Sequence, residues 1–243
     1  AEALARILAS RLPAHPLVRS DAESRLAHAA GQSFADWVAL RSGAIPGFPD
    51  GVAFPENEGQ IAELIAYAKN SGAKLIPYGG GTSVVGHLEV QPGQPTLTVA
   101  LGRMNRLLQL DKKSMLATFG AGVAGPDLEA QLRAHGLTLG HYPQSFEYST
   151  LGGWIVTRSS GQQSLRYGRI EKLFAGGRVV SPAGVLDLPT FPASAAGPDL
   201  REAVLGSEGR FGFVTQATVR VSPLPQVEAF HAVFFPDFER GQE

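Results

Sequence analysis

The sequence predicts an α+β protein of 243 residues. Short strand and helix patterns follow one another without the regular alternation that builds a parallel α/β sheet. Glycine makes up 29 of the 243 residues, about 12% where ordinary proteins have near 7%. The backbone must therefore bend sharply or approach something closely at many points. The length allows one large or two small domains, and a core of this size needs no disulfide or metal.

The first part of the chain predicts helices followed by a connector. Apolar residues at helical spacing predict helices over Leu4–Leu12 and roughly Asp21–Leu40, with Pro13 and Pro16 between them. Residues 43–55 are rich in glycine and proline and indicate a connector that leads into a new unit.

The middle of the chain predicts alternating element types. Residues Glu58–Ser71 are apolar at helical spacing, and Gly72 should end that helix. We predict strands at Lys74–Pro77, Thr96–Leu101 and Met115–Phe119, a helix at Pro126–His135 and a short strand at Leu137–Leu139.

The last hundred residues begin with a stretch, 140–170, that is rich in Gly, Ser and Thr and also carries many large side chains. Pro236 and Asp237 indicate a helix start, and the sequence stops within that helix, so we expect a piece of a longer protein. We also predict strands at Val179–Leu188, Phe213–Val221 and Phe230–Phe235 and a short helix at Asp199–Leu205.

Composition excludes several classes of function. The net charge is −1, so there is no basic field for nucleic acid. Without cysteine the chain has no thiolate metal site, thiol catalysis or disulfide, and we predict no metal site. No apolar run reaches membrane-spanning length and no secretory signal is evident, so we expect a cytoplasmic protein.

One glycine cluster matches a dinucleotide-binding pattern. Gly120-Ala-Gly122-Val-Ala-Gly125 is a literal G-x-G-x-x-G between a strand and a helix. However, Pro126 and Asp127 place the helix start after the third glycine, and no acid follows the next strand to bind a ribose. We favour a tight strand-to-helix turn over a nicotinamide dinucleotide site.

Pro77–Ser83 contains three consecutive glycines, which are costly to order. Their amides could form a concave nest for an anion, and Thr82 and Ser83 add hydroxyl donors. A long hairpin turn is the alternative, and the segment alone leaves both open. If the loop cradles a phosphate, Gly80→Val should abolish binding with little loss of fold.

Hydroxyls followed by paired glycines recur in Gln144–Gly153, and Thr157–Gly161 follows directly. If these stretches and the first glycine loop face one ligand, that ligand is long and has polar and apolar parts. The alternative is a set of surface loops. Trp154, Ile155 and Val156 argue against it, because such side chains favour burial.

These motifs together closely resemble one family. Pro77–Ser83, Ser145-x-Glu-x-Ser-Thr-x-Gly-Gly-Trp154, Thr157-Arg-x-Ser-Gly161, Tyr167-Gly168 and Gly206-Ser-Glu-Gly-x-x-Gly212 are similar to the FAD-binding domain of the vanillyl-alcohol oxidase (p-cresol methylhydroxylase) family. The resemblance covers about residues 50–225. It is greatest to the FAD-linked oxidase branch with alkyl-dihydroxyacetone-phosphate synthases, D-lactate dehydrogenases and glycolate-oxidase subunits, and the Trp154 and Arg158 segment looks most like the synthases.

The resemblance implies FAD as cofactor, held between two α+β subdomains. Thr82 stands where many relatives have a histidine bonded covalently to the flavin, so we expect non-covalent FAD; His87 is then an ordinary loop residue. The implied cofactor-binding residues are Pro77, Tyr78, Gly79, Gly80, Gly81, Thr82 and Ser83 around the pyrophosphate, and Gln144, Ser145, Ser149, Thr150, Gly152, Gly153, Thr157, Arg158, Ser160, Glu208, Gly209 and Val214 along the rest of FAD.

The resemblance also implies a domain division: an N-terminal helical segment (1–45), the FAD-binding domain (46–225) and the start of a substrate-binding cap (226–243). Catalytic residues are expected in the cap and are not identified here. Within the chain His141, Glu147 and Tyr167 are candidate bases, and each has a purely structural alternative.

Three functions remain open at this stage. The leading one is an FAD-dependent oxidoreductase that takes a hydride from a small hydroxylated substrate such as a 2-hydroxy acid and passes electrons to an unknown acceptor. The second is the synthase reaction, an acyl-to-alkyl exchange without net redox; Ala193, Arg210 and Phe211 depart from its pattern. The third is a non-catalytic FAD-binding module. We further expect a small-molecule substrate and a homodimer.

Overall fold

The computed structural model describes residues 9–91, 93–192 and 195–242. It has the mixed helix and strand content that the sequence predicts, arranged around two separate sheets. Ala193 and most of the expected helix Leu4–Leu12 lie outside the described residues. No helix among the described residues is both long and apolar enough to cross a membrane.

The first sheet has four strands in the order β1-β2-β4-β3. Strands β2, β4 and β3 run parallel to one another, and β1 pairs antiparallel with β2. Its elements are β1 (Val18–Arg19), α1 (Ala22–Ala27), α2 (Phe34–Ser42), β2 (Gly51–Ala53), α3 (Glu58–Ser71), β3 (Lys74–Tyr78) and β4 (Thr96–Ala100).

Helix α3 has the bounds that the sequence predicts because its ends are chemically defined. The Asn57 side chain accepts a hydrogen bond from the Gln60 amide at the start, and Gly72 ends the helix with φ 69°. The face carrying Ile61, Leu64 and Ala68 is buried, and Ile61 and Leu64 belong to one hydrophobic cluster with β4.

The second sheet has five antiparallel strands in the order β5-β6-β10-β8-β9. A small pair, β7 with β11, lies beside it. The elements from residue 107 onward are β5 (Leu107–Asp111), β6 (Leu116–Gly120), α4 (Gly125–Arg133), β7 (Leu137–Thr138), α5 (Leu151–Val156), α6 (Ser164–Tyr167), α7 (Ile170–Leu173), β8 (Phe174–Ser181), β9 (Gly184–Leu188), α8 (Leu200–Val204), β10 (Phe213–Arg220), β11 (Ser222–Pro223) and α9 (Phe238–Gln242).

Several elements differ from the sequence prediction. The expected helix Asp21–Leu40 is two helices, α1 and α2, separated at Gly31. The connector contains the fully buried strand β2, and the expected strand Val179–Leu188 is a hairpin of β8 and β9. The predicted strand Phe230–Phe235 is wrong: it is irregular, and Phe234 is 91% exposed. Apolar residues alone do not make a strand without a neighbouring strand to pair with.

Candidate functional site

A cavity of about 340 Å³ lies where loops from the two sheets meet. This size is in the range of small-molecule sites. Three segments form most of its wall: the loop after β3, the region around α5, and the turn before β10. The lining residues are 77–85, His87, Leu88, Leu101, Ala121, Pro143, Ser145, Ser149, Thr150, Gly152, Gly153, Trp154, Val156, Thr157, Ser159, Glu208, Gly209, Gly212 and Val214.

The glycine loop after β3 is packed tightly against the loop before α5. A Cβ atom at Gly80 would overlap the carbonyl oxygen of Tyr148, and one at Gly79 would overlap the Thr150 hydroxyl. Glycine is therefore required here because two backbones touch. The expectation that Gly80→Val would spare the fold is wrong for this reason.

A second contact holds the outer side of the glycine loop. The Gln32 amide donates to the Gly81 carbonyl at 2.6 Å, and the Gln32 side-chain amide donates to the Gly80 carbonyl at 3.2 Å. Both bonds use carbonyl oxygens of the loop. Neither bond involves the amides of the loop.

The amides of residues 80–83 make no hydrogen bond to any residue that the structure describes. Successive backbone N–H groups with no protein acceptor, at the edge of a cavity, suit a phosphate group. The lining also contains Trp154, Val156 and Val214, which suit an aromatic ring. The residues present therefore fit a dinucleotide that has an anionic centre and a flat apolar end.

Helix α5 supports the cavity wall although its second and third residues are glycines. Thr150 caps it by accepting from the Gly153 amide, and the Gly152 amide donates to the Ala121 carbonyl at 2.7 Å. The Trp154 indole N–H donates to the Ser149 hydroxyl at 2.7 Å. A Cβ at Gly152 would press on Ala121 at 3.0 Å, so glycine allows α5 to sit on the turn after β6.

The turn after β6 is the G-x-G-x-x-G segment, Gly120–Gly125. A Cβ at Gly122 would overlap the carbonyl oxygen of Leu101, and Gly125 is close to the Phe146 side chain. Contacts with the protein's own backbone and side chains thus account for its glycines, as the turn interpretation predicts. Only Ala121 of this segment lines the cavity.

His141 lies behind the cavity wall and does not line it. Its ring is 1% exposed, stacks edge-on against Trp154, and contacts the Ser159 hydroxyl through Nε2 at 2.6 Å. Burial lowers the pKa of His141 from 6.5 to about 4, so the ring is neutral near pH 7. Its Nδ1 is buried without a partner among the described residues.

Most of the sequence-predicted site residues lie in the cavity wall. The structure brings together Pro77, Tyr78, Gly79, Gly80, Gly81, Thr82, Ser83, Ser145, Ser149, Thr150, Gly152, Gly153, Thr157, Glu208, Gly209 and Val214.

Gln144, Arg158 and Ser160 lie outside the lining. The Arg158 guanidinium pairs with Glu202 and donates to the Leu205 carbonyl, and the neighbouring Ser159 lines the cavity instead.

Two polar residues of the wall, His87 and Ser159, are not in the set of cofactor-binding residues that the resemblance implies. Nδ1 of His87 lies 3.5 Å from a carboxylate oxygen of Glu208. The position of His87 four residues after the glycine loop was the available signal for it. Ser159 had only its place beside Ser160, and spacing cannot tell which of two adjacent serines faces a cavity.

Comparisons with known proteins agree with this geometry. The model of the FAD binding domain family matches residues 49–188. An alkyldihydroxyacetonephosphate synthase of Trypanosoma brucei brucei is 40% identical over 91% of this chain. A solved structure titled alkyldihydroxyacetonephosphate synthase superposes with a TM-score of 0.84 at 34% identity, over 92% of this chain and 43% of that one.

A more distant relative is the mitochondrial D-lactate dehydrogenase [cytochrome] of Arabidopsis thaliana, 30% identical over 77% of this chain and 33% of its own length. The chain spans 36% of the length of the Trypanosoma synthase. The similarity therefore concerns about a third of each curated relative.

Proposed function

Because the chain belongs to the family of FAD-binding domains, we propose that it is the FAD-binding part of a flavoenzyme of the alkyldihydroxyacetonephosphate synthase type. The observation that carries this proposal is the structural match at a TM-score of 0.84, which includes 34% sequence identity. The cofactor is FAD, and the cavity is the place in the fold whose chemistry suits it.

In this proposal the chain's own residues bind and orient the cofactor. The amides of residues 80–83 and the hydroxyl of Thr82 hold the pyrophosphate without a covalent bond. Ser145 and Ser159 offer hydroxyls along the remaining length, whereas the Ser149 hydroxyl donates to the Ser145 carbonyl and holds the Trp154 indole. Trp154 shields the ring from water. When bound, FAD supplies reversible hydride acceptance.

The proposed domain division keeps residues 46–225 as the FAD-binding domain. Residues 1–45 precede it, and β1 pairs with β2 of its first sheet. Residues 226–243 would begin a substrate-binding cap. The aromatic side chains of this segment are exposed, among them Phe230, Phe234 and Phe238. Such exposure supports the proposal that the segment packs against another part of a larger protein. The catalytic base would belong to the cap, because none of the three candidate bases, His141, Glu147 and Tyr167, lines the cavity.

Oxidation of a 2-hydroxy acid, which sequence analysis placed first, becomes the second candidate. Its support is the D-lactate dehydrogenase relative, at 30% identity against 40% for the synthase. In the synthase reaction, a small phosphorylated ketone exchanges an acyl for an alkyl group with no net redox. Only the oxidation of a 2-hydroxy acid would need an electron acceptor. That the protein is a homodimer stays a prediction.

Flavin bleaching separates the two candidates. FAD-loaded protein, as this chain and as any longer polypeptide that contains it, is mixed anaerobically with acyl-dihydroxyacetone phosphate or with D-lactate. The synthase proposal predicts bleaching by the first only, followed by recovery and alkyl product when a long-chain alcohol is added. Bleaching by D-lactate alone would contradict it. We expect turnover only from the longer polypeptide, since the cap would supply the base.

A further inference from the structure

A histidine and a glutamate from the two halves of the molecule meet at the cavity. Nδ1 of His87 lies 3.5 Å from Oε2 of Glu208 and 3.4 Å from the hydroxyl oxygen of Ser83. All three residues line the cavity. Ser83 and His87 follow β3 of the first sheet, whereas Glu208 precedes β10 of the second. The contact therefore bridges the two sheets where the ligand would lie.

The charge of the cavity wall makes this contact important. Among the described residues of the lining, Glu208 is the one acid, and none is a lysine or arginine. The pyrophosphate of FAD is itself anionic. An uncompensated carboxylate in the same cavity would repel it, and the low-dielectric walls would strengthen that repulsion.

Glu208 is also fixed in place by its backbone. Its φ is 52°, an uncommon conformation for a residue with a side chain. Its amide donates to the Val156 carbonyl at 2.8 Å. The carboxylate is 37% exposed, so solvent weakens its field only in part.

We propose that His87 is a positioning residue that offsets the charge of Glu208, so that the cavity accepts an anionic dinucleotide. At a separation of 3.5 Å, an imidazole with a proton on Nδ1 turns the positive end of its N–H dipole toward the carboxylate, and a protonated ring adds a full positive charge. Glu208 then keeps oxygen atoms free to accept hydrogen bonds from sugar hydroxyls. The inference rests on FAD binding and not on the reaction proposed above.

The test is titration of flavin-free protein with FAD, followed by flavin fluorescence, at low and high salt. His87→Ala should raise the Kd about tenfold at low salt, because Glu208 then faces the cavity without the imidazole beside it and repels the pyrophosphate more strongly. The increase should shrink at high salt, which screens repulsion. Adding Glu208→Gln to His87→Ala should return the Kd to that of Glu208→Gln alone.

Two further probes separate charge from structural damage. Riboflavin has no phosphate and should bind His87→Ala and the wild type equally. His87→Asn, whose amide can still donate, should bind FAD almost as the wild type does. His135→Ala, at an exposed histidine outside the cavity, is the matched control and should change nothing. If His87→Ala does not fold by circular dichroism, His87→Phe replaces it.

The inference is overturned if His87→Ala leaves the FAD Kd unchanged, or if the loss is the same with Gln at position 208. Equal loss of riboflavin binding would also overturn it, because the effect would then not depend on phosphate charge. A wild-type protein that binds no FAD would overturn it together with the cofactor assignment. Evidence against the synthase reaction would not affect this inference, because the inference concerns only FAD binding.

Discussion

At the scale of single residues, Gly80 shows how one sequence signal can have two causes. Three consecutive glycines suggest a ligand cradle, and the free amides of residues 80–83 agree with that. The same glycine is also required because the Tyr148 carbonyl lies where its Cβ would be. Sequence spacing cannot separate the two causes, since Tyr148 is distant in the chain.

Gly80→Ala is therefore expected to destabilise the protein by more than about 2 kcal/mol, as overpacking against a backbone does. The matched control is Gly102→Ala, because nothing lies within 4 Å of a Cβ at Gly102; it should stay within about 0.5 kcal/mol of the wild type. Urea unfolding measures both. Equal stability of the two variants would show that the loops are not in contact at Gly80.

Thr82 predicts that the flavin is not covalently attached, since threonine offers no ring nitrogen for the bond that histidine forms in many relatives. Acid precipitation of the FAD-loaded protein should leave all of the yellow colour in the supernatant. Flavin that stays with the washed pellet would contradict the prediction and direct attention to His87, the histidine in the cavity wall.

His141 predicts a pH dependence of stability. Its folded-state pKa, about 4, lies below the ordinary value of 6.5, so between these values the unfolded chain binds a proton that the folded protein does not. Stability should be complete above about pH 6.5 and fall as the pH drops, by roughly 3 kcal/mol at pH 4. His141→Gln should flatten this slope in pH-dependent thermal melts, whereas His135→Gln should not. A residual slope is expected from His28, whose pKa burial also lowers.

At the scale of elements, a helix can be predicted from the sequence when residues within it and beside it define where it begins and ends. Helix α3 has an N-cap asparagine, an apolar face and a terminal glycine, so the sequence alone defines it. Helix α5 was missed because its stability comes from contacts of Gly152 and Trp154 with other loops. Phe230–Phe235 was wrongly predicted because a strand needs a partner that composition cannot reveal.

Glu129 is an element-scale contact that no motif indicates. From helix α4 its buried carboxylate accepts the Thr138 hydroxyl at 2.8 Å and the amides of Leu139 and Gly140 at 3.0 and 3.1 Å. It thereby joins α4 to β7 and to the segment that leads into His141.

Glu129→Ala would leave two buried donors unpaired, the Thr138 hydroxyl and the Leu139 amide, since the Gly140 amide also donates to the Thr138 oxygen; the loss should cost about 3 kcal/mol of unfolding free energy. Glu147→Ala, at an exposed position, should change stability by less than about 0.5 kcal/mol. Chemical denaturation of both variants checks this. A Glu129→Ala variant as stable as Glu147→Ala would show that the three hydrogen bonds contribute nothing.

At the scale of the whole molecule, the cavity joins segments that lie far apart in sequence. The loop after β3, helix α5 and the turn before β10 each carried a glycine or hydroxyl signal, but spacing gave no reason to place them together. The family resemblance did so, and sixteen of its nineteen implied residues line one cavity. Gln144, Arg158 and Ser160 do not, because loop geometry decides which neighbouring side chain faces inward.

We propose that FAD binds in the cavity between the two sheets, and a crystal structure of the protein with FAD is the test. We expect density for the pyrophosphate at the amides of residues 80–83 and for the flavin ring beside Trp154. Well-defined FAD anywhere else on the chain, with this cavity empty, would contradict it.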